Sequence, residues 1–366
     1  MRPTWFSVDL DAVAHNIRVF RGLVAPAEVC MVVKADGYGH GAAAVAVAAL
    51  EAGATWLAVA FLEEAAGLRE SGLNAPILVL SEPRPDEMAD LAALGGVRPT
   101  LYSDAGVDAF ASVAADGAPV HLKVDTGMHR VGTTMDAAVV VARRILDSGL
   151  DLEGVFSHCA MADDPEDPLT SLQVQRFDAV LAELNTAGIR PPVVHMANTA
   201  TALGRTDAAY SMVRIGIGAY GVSPGPEMAD RSRSVGLRQA LSIHSRVTHL
   251  FDVAGGEGVG YGHLWRSVAD TRLATVPVGY ADGLTRDWGP GGVALVGGAR
   301  RPLCGAISMD SLVVEVDEGV AIGDEVVLLG SQGDEEIGVA EVAERLGLIP
   351  WEILSRLGQR PPRLYP

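Results

Sequence analysis

Two lysines, Lys34 and Lys123, stand among 28 basic residues; the other 26 are arginine (28 − 2 = 26). An arginine serves wherever a fixed cation is wanted, but a guanidinium does not lose its proton in a protein, so only lysine can offer a neutral amine. Both lysines are therefore candidates for amine chemistry. Lys34 closes the apolar run Cys30-Met31-Val32-Val33 and opens Ala35-Asp36-Gly37-Tyr38-Gly39-His40-Gly41. A strand should meet a glycine-rich loop there, which is a natural setting for a Schiff-base amine. Lys123 lies two residues before Asp125, and as an ordinary cation it would simply pair with that carboxylate.

Reactive side chains need elements to aim them. Short runs rich in Val, Ile and Leu recur at Glu28–Val33, Trp56–Ala60, Ile77–Leu80, Arg98–Tyr102, Val120–Val124, Leu152–Ser157, Val193–Met196 and Met212–Ile217. Between them, Ala42–Ala52, Leu62–Ser71, Pro85–Leu94, Met135–Ser148 and Leu172–Ala187 carry apolar residues at three and four spacing. Alternation of this kind predicts an α/β fold of the (β/α)8 TIM-barrel type, with helices outside a parallel barrel. The barrel is expected over residues 1–232, with the first residues free to join the next domain. After Ser232 the rhythm changes to strands at Leu241–Val253, Arg272–Gly279, Gly292–Val296, Leu312–Val316 and Glu325–Leu329. This predicts a mostly antiparallel β domain over 233–366, with late helices at Gly338–Leu346 and Trp351–Leu357. The Pro- and Gly-rich segment Gly221–Ser234 reads as the linker.

The formal charge of −18 disfavours nucleic acid and anionic membrane as partners, so an anionic ligand needs a local cradle. With 49% apolar residues the chain can bury a large core. Its three cysteines, Cys30, Cys159 and Cys304, form no CxxC pair and no even disulfide framework, which fits a reducing cytoplasm. The N-terminal residues contain no signal-peptide core, and the Gly41–Ala52 run is too short to span a bilayer. His158 and Cys159 are adjacent, but no further ligands at fitting spacing accompany them, so zinc is set aside and no metal is expected.

In a (β/α)8 barrel the reactive residues sit where the strands end. Those ends hold Lys34, Lys123 with Asp125, His158, Asn198 with Thr199, and Arg214 with Gly216 and Ile217. Barrels of this type commonly bind phosphate at the loops after strands seven and eight, where Asn198-Thr199 and Gly216-Ile217 supply hydroxyl and N–H donors. A phosphate-bearing cofactor that also needs a lysine amine suggests pyridoxal 5'-phosphate.

The motifs resemble one family along nearly the whole chain. They are Val33-Lys34-Ala35-Asp36-Gly37-Tyr38-Gly39-His40-Gly41, Lys123-Val124-Asp125-Thr126-Gly127-Met128-His129-Arg130, His195-Met196-Ala197-Asn198-Thr199-Ala200 and Val213-Arg214-Ile215-Gly216-Ile217. Gly260-Tyr261-Gly262, Gly279-Tyr280-Ala281-Asp282-Gly283, Ser308-Met309-Asp310 and Arg363-Leu364-Tyr365 follow in order. The chain is similar to the alanine racemases, pyridoxal phosphate enzymes built from a barrel and a β domain.

The resemblance implies racemisation of L- and D-alanine, a D-amino acid and cell wall precursor, in a homodimer whose active sites are shared. Lys34 would anchor the cofactor and act as base on one face of the substrate's Cα. Tyr261 of the partner subunit would act on the other face, supported by His158 and Arg214. Arg214 would face the cofactor's ring nitrogen. Tyr38, Asn198, Thr199, Gly216, Ile217 and Tyr365 would hold the cofactor, Arg130 the cofactor's phenolic oxygen and the substrate carboxylate. Met309 and Asp310 would line the substrate site from the partner. Lys123 matches a lysine that carries a carbamate in many members. Tyr280, Arg286 and His195 read as access or supporting residues.

Alternatives on the same barrel are a serine or broad-specificity racemase, a decarboxylase, and a non-catalytic pyridoxal phosphate carrier. The carriers generally lack a β domain. The chain departs from the family pattern at Asp36-Gly37, Thr199, Ala306 and Ser308, positions that bear on substrate breadth.

Overall fold

Apolar runs flanked by helical periodicity have one economical way to bury both faces, and the first two thirds of the chain take it. In a computed structural model describing residues 2–366, β1 (Trp5–Val8) precedes eight strands that close into a parallel barrel. These are β2 (Glu28–Val32), β3 (Trp56–Val59), β4 (Ile77–Val79), β5 (Val97–Leu101), β6 (Pro119–Lys123), β7 (Asp151–Phe156), β8 (Val193–His195) and β9 (Met212–Ile215). β9 pairs back onto β2 and sets Arg214 opposite Cys30. Register across the far wall sets Lys123 opposite Phe156, and Phe156 opposite His195. Every residue of β3, β4 and β9 is buried, as expected of strands covered on both sides.

The helices outside the barrel follow their periodicity. Ala138–Asp147 buries Ala138, Val141, Ala142 and Ile145, one apolar stripe at three and four spacing. The predicted helix Pro85–Leu94 divides into a 3-10 turn, Pro85–Glu87, and a helix, Met88–Ala93. Gly221–Ser234, expected as a linker, instead contains a 3-10 turn at Pro226–Met228 and a helix at Ala229–Ser234. Arg231 and Ser232 tie that helix back to Leu203 O and Ser223 Oγ.

The chain divides into two compact units, one formed by Val13–Gly37 and Ala42–Arg238, the other by the residues up to Ala12, Tyr38–Gly41 and Gln239–Pro366. The predicted strand Leu241–Val253 is two strands, β10 (Leu241–Arg246) and β11 (His249–Val253). They part because Val247 N–H donates to Asp324 O, just before the strand Glu325–Gln332, and Thr248 N–H to Thr275 O in the strand Thr271–Val276, and these two strands lie in different sheets. Next come β12 (Gly258–Val259), β13 (Trp265–Arg266), β14 (Thr271–Val276), β15 (Val293–Val296), β16 (Ala299–Pro302), β17 (Leu312–Val316), β18 (Glu325–Gln332), β19 (Glu335–Ile337) and β20 (Arg363–Leu364). One sheet runs β16-β15-β18-β10-β1-β20 with β19 on β18, another runs β11-β14-β17, and β12 and β13 form a ribbon. Helices Val339–Leu346, closed by Gly347 at φ 64°, and Pro350–Ser355 complete this unit.

A buried carboxylate pins the loops of the β unit. Asp282 is fully buried and accepts hydrogen bonds from Arg2 Nη2 (2.6 Å), Arg360 Nε (2.9 Å) and Gly279 N–H (3.0 Å). Arg360 also reaches Asp310 Oδ1 at 2.8 Å, so Asp282 holds the Met309-Asp310 turn through one guanidinium. Asp282→Asn removes the charge from this node and leaves two arginines without their shared anion. Thermal unfolding should register a loss of about 2 kcal/mol, because hydrogen bonds to charged groups contribute in that range. A melting temperature equal to wild type would show that Asp282 does not organise these loops.

Candidate active site

The barrel brings Lys34, Lys123, Arg130, His158 and Arg214 within electrostatic reach of one another, since each of the other four lowers the pKa of His158 or of its neighbours. Lys34 follows β2 and leads into a left-handed turn in which Ala35 and Asp36 have φ 53° and Gly37 has φ 61°. Such backbone costs roughly 1–2 kcal/mol for a residue with a Cβ, and it is held by specific bonds. Gly37 N–H donates to Val33 O (2.8 Å), Ala42 N–H to Asp36 Oδ1 (2.9 Å) and Ala35 N–H to Glu64 Oε1 (2.6 Å). Burial holds the Lys34 amine below its ordinary pKa, Arg130 adds to the effect, and Glu64 opposes it.

Lys123, at the end of β6, is 7% exposed. Among the described residues it makes no ion pair. Asp125, the partner an ordinary cation would take, spends Oδ1 on the N–H groups of Gly127, Met128 and His129. Burial pushes the Lys123 amine down to about 8, with Arg214 and Arg130 adding and Asp125 opposing. Its Nζ lies 5.4 Å from the centre of the Phe156 ring. Lys123, Asp125, Arg130 and His158 line a small cavity of about 10 Å³, room for one small group.

Arg214 is the hub. It is 3% exposed. Nη1 donates to His195 Nδ1 (2.6 Å), and Nη2 to Ser157 O (2.8 Å), His158 Nδ1 (3.1 Å) and Met196 O (3.1 Å). Its carbon lies 5.1 Å from the Phe156 ring centre. Burial lowers its pKa to about 10, which still leaves it charged at neutral pH. Because a guanidinium only donates, Nδ1 of His158 must accept and its proton resides on Nε2. His158 is held well below its ordinary pKa by burial, then by Arg214 and Lys123, so it stays neutral. It presents an N–H donor to whatever lies beyond. Nε of Arg214 and the second N–H of Nη1 bond to no described residue.

The loops after β8 and β9 meet at Thr199. Thr199 is buried, and its hydroxyl oxygen accepts from Gly216 N–H (3.2 Å) and Gly218 N–H (3.3 Å). With both acceptor sites engaged, the hydroxyl proton is free to donate. A Cβ on Gly218 would come within 2.6 Å of Phe20 and of the Thr199 methyl, so only glycine lets the backbone sit this close. Ile217 is buried beside it. Asn198 serves as an N-cap, its Oδ1 accepting from Thr201 N–H and Oγ1.

The remaining expected site residues belong to the β unit. Tyr365 Oη donates to His40 O (3.1 Å) and Arg363 Nε to Gly39 O (2.7 Å), which fixes the Tyr38–Gly41 stretch beside the C-terminal strand. Tyr261 sits in the connection between β12 and β13, between Gly260 (φ 71°) and Gly262 (φ 72°), with its side chain 71% exposed. Met309 is 52% exposed. Glu64 is a site residue that pattern reading missed. It caps three N–H groups, of Ala35, Ala60 and Phe61, and the available signal was a glutamate three residues after Phe61 at the start of a helix. Phe156, the shared floor of Lys123, Arg214 and His195, had no signal beyond its place at a strand end.

Comparison with known proteins agrees with this geometry. A family model described as alanine racemase, N-terminal domain, matches residues 8–224, and one described as alanine racemase, C-terminal domain, matches 240–365. The alanine racemase of Symbiobacterium thermophilum is 42% identical over 100% of this chain and 97% of that protein. That of Geobacillus kaustophilus is 40% identical, over 100% and 94%. The crystal structure of alanine racemase from E. faecalis has a TM-score of 0.94 at 36% identity, covering 100% of this chain and 98% of that one. The Bacillus anthracis enzyme with bound L-Ala-P has a TM-score of 0.92 at 37% identity, covering 100% and 95%.

A barrel of this design followed by this β domain defines an amino-acid-racemising isomerase. The chain belongs to the alanine racemase family, and its reaction is the interconversion of L- and D-alanine. The serine-specific and cofactor-carrier alternatives are not favoured, since the full-length relatives are alanine racemases and the second family model covers the β domain.

The Lys123 environment has a pH signature. A folded-state pKa near 8, below the ordinary value of 10.5, means that the unfolded chain holds the proton more tightly. The buried cation therefore destabilises the fold fully below pH 8, and stability returns as pH rises from there toward 10.5. In buffer free of carbon dioxide, Lys123→Met should melt higher than wild type at pH 7, with the gap closing above pH 8. A gap that stays constant across that interval would place the amine in water.

Proposed function

We propose that the enzyme uses pyridoxal 5'-phosphate anchored covalently on Lys34 and two opposed bases, Lys34 and Tyr261 of the partner subunit. The observation that carries this reading is the set of four cations, Lys34, Lys123, Arg130 and Arg214, converging in a chain of net charge −18. The nearest carboxylates, Glu64 and Asp125, are engaged by backbone N–H groups. Such a site is built for anions. Thr199 Oγ1 with the Ile217 N–H fits a phosphate, with Gly216 N–H orienting the Thr199 hydroxyl; Arg214 Nε fits a ring nitrogen, and Arg130 fits a phenolate and a carboxylate. Asn198, Tyr38 and Tyr365 are carried as cofactor-binding residues on the family likeness.

When bound, the cofactor supplies an electron-withdrawing ring that acidifies the substrate's Cα–H. The chain's own groups do the rest. Inversion at Cα needs a proton to leave one face and another to arrive on the opposite face, so one base cannot suffice. Lys34 Nζ, with its pKa lowered by burial, takes or returns the proton on one side, and Tyr261 Oη on the other. The N–H on His158 Nε2 donates to that phenolate and favours its charged form. Arg214 cannot give up a proton to the ring nitrogen, which restrains electron withdrawal and disfavours transamination. Met309 and Asp310 of the partner narrow the substrate site.

A Tyr261 ring that is 71% exposed and a Met309 side chain that is 52% exposed support a homodimer in which each copy completes the other's site. Lys123, with a neutral amine accessible near pH 8 and a small cavity beside it, fits a carbamate, which would place an anion beside Arg130. The three buried free cysteines fit a reducing cytoplasm. No described helix is long and apolar enough to cross a membrane, and neither membrane nor nucleic acid is proposed as a partner.

Mixing inactive Lys34→Ala and Tyr261→Ala subunits tests the shared site. Random reassortment places one intact site in each mixed dimer, so about a quarter of wild-type activity should return. No recovery above the parents, with mixed dimers verified by mass spectrometry, would sink the arrangement. Borohydride treatment followed by peptide mapping should locate the cofactor on Lys34. A label on Lys123 would transfer the anchor role to that residue.

A further inference from the structure

A buried polar line leaves the site through the body of the barrel. Arg214 Nη1 donates to His195 Nδ1 at 2.6 Å, His195 Nε2 is 2.9 Å from His121 Nδ1, and His121 Nε2 is 3.4 Å from Glu153 Oε2. Arg98 grips Glu153 from the far side, Nε to Oε2 at 2.9 Å and Nη2 to Oε1 at 3.2 Å. Both histidines are fully buried, whereas Arg98 and Glu153 are 17% and 19% exposed in their side chains. The line thus joins the reactive end of the barrel to near-solvent at the other.

Its hydrogen-bond direction admits one solution. Arg214 has only donors, ionised Glu153 has only acceptors, and a neutral imidazole has one of each. Both rings therefore carry their proton on Nε2. Reversing either ring sets N–H against N–H. Burial keeps both histidines below their ordinary pKa, and His121 and Arg98 hold the Glu153 carboxyl at about 2 against its own burial.

The fold is shaped around this line. His195 stacks on Phe156 at 4.6 Å and 6°, and His121 packs against Trp56 at 5.4 Å. A Cβ on Gly154 would lie 2.5 Å from the His121 ring, so glycine alone makes room for it. Pairing of β6 with β7 shifts between Val120 and His121, skipping Glu153. Irregularities of this kind re-aim a side chain.

We propose that Glu153, clamped by Arg98, is a positioning residue for Arg214, fixing the tautomers of His121 and His195 so that His195 Nδ1 always accepts from the guanidinium. The catalytic consequence rests on the reading of Arg214 as partner of the cofactor ring. The tautomers do not.

Nitrogen-15 NMR of histidine-labelled enzyme, with assignments from single His→Gln variants, should show both rings neutral and protonated on Nε2 from pH 6 to 9. Glu153→Leu should disturb the His121 tautomer and lower kcat about ten-fold, the scale of lost outer-shell support, with KM changed less than about two-fold. Glu153→Gln keeps an acceptor and should restore the tautomer and most of kcat. Arg98→Gln leaves Glu153 in place and should give a smaller loss, which keeps the test decisive if Glu153→Leu does not fold. A proton on Nδ1 of either ring, an imidazolium in the wild type, or unchanged kcat in folded Glu153→Leu would overturn the proposal. Correct tautomers in a protein that binds no pyridoxal phosphate would instead count against the cofactor reading.

Discussion

A guanidinium buried inside a barrel can only donate, and everything around Arg214 is arranged to accept. Four bonds from Nη1 and Nη2 go to two carbonyl oxygens and two imidazole nitrogens, and no carboxylate of the described residues pairs with it. Burying an unpaired cation costs several kcal/mol. Offsetting part of that cost are the four acceptors around Nη1 and Nη2 and the face of Phe156 at 5.1 Å. The carbonyls of Ser157 and Met196 are available because they follow β7 and β8, just beyond regular pairing. One donor-only group thereby dictates two tautomers and the use of two strand ends.

The same absence of local anions sets the chemistry of the amines. In water two cations a few ångströms apart interact weakly, but burial raises the energy several-fold. Burial first, and the neighbouring cations second, make Lys34 and Lys123 hold their protons less tightly; Lys123 comes down to about 8, while Arg214 stays at about 10. The nearest carboxylates are present but committed, Glu64 to the turn after Lys34 and Asp125 to the loop after Lys123. The acidic side chains thus build the backbone that holds the site, and the positive potential remains for the ligand.

Much of this was legible in the residues. All eight barrel strands lie where continuous apolar runs predict them, with ends displaced by a residue or so, because a strand buried on both faces needs such a run. The strand-end positions of Lys34, Lys123, His158 and Arg214 follow from the same pattern. What was not legible depended on distant partners. Leu241–Val253 is uniformly strand-forming, yet Asp324 and Thr275 divide it between two sheets. Pro and Gly in Gly221–Ser234 signal turns, but the helix there is held by Leu203 and Ser223. Asp125 looked like a partner for Lys123, and nothing local shows that three N–H groups claim it first. Glu153 carries no signal of its own within the strand Leu152–Ser157, since the pairing shift that re-aims it belongs to β6 and β7 together.

Tyr261 poses a separate physical problem. In its proposed role as a base on one face of a carbon, it has to be still and partly dry, and here Tyr261 stands 71% exposed between two glycines of positive φ on a short ribbon. Its hydroxyl bonds to no described residue. His158 is half-buried, and its Nε2–H has no acceptor among the described residues while Arg214 holds Nδ1. Leu264 and Met309 are exposed as well, and apolar surface of this kind marks a contact face. A second copy bringing its ribbon to the barrel would cover the apolar side chains and supply the acceptor that His158 lacks. It would also immobilise the phenol through one hydrogen bond whose direction Arg214 has already fixed. Dimerisation and base activation would then be a single event, which accounts for placing so exposed a tyrosine on so small an element.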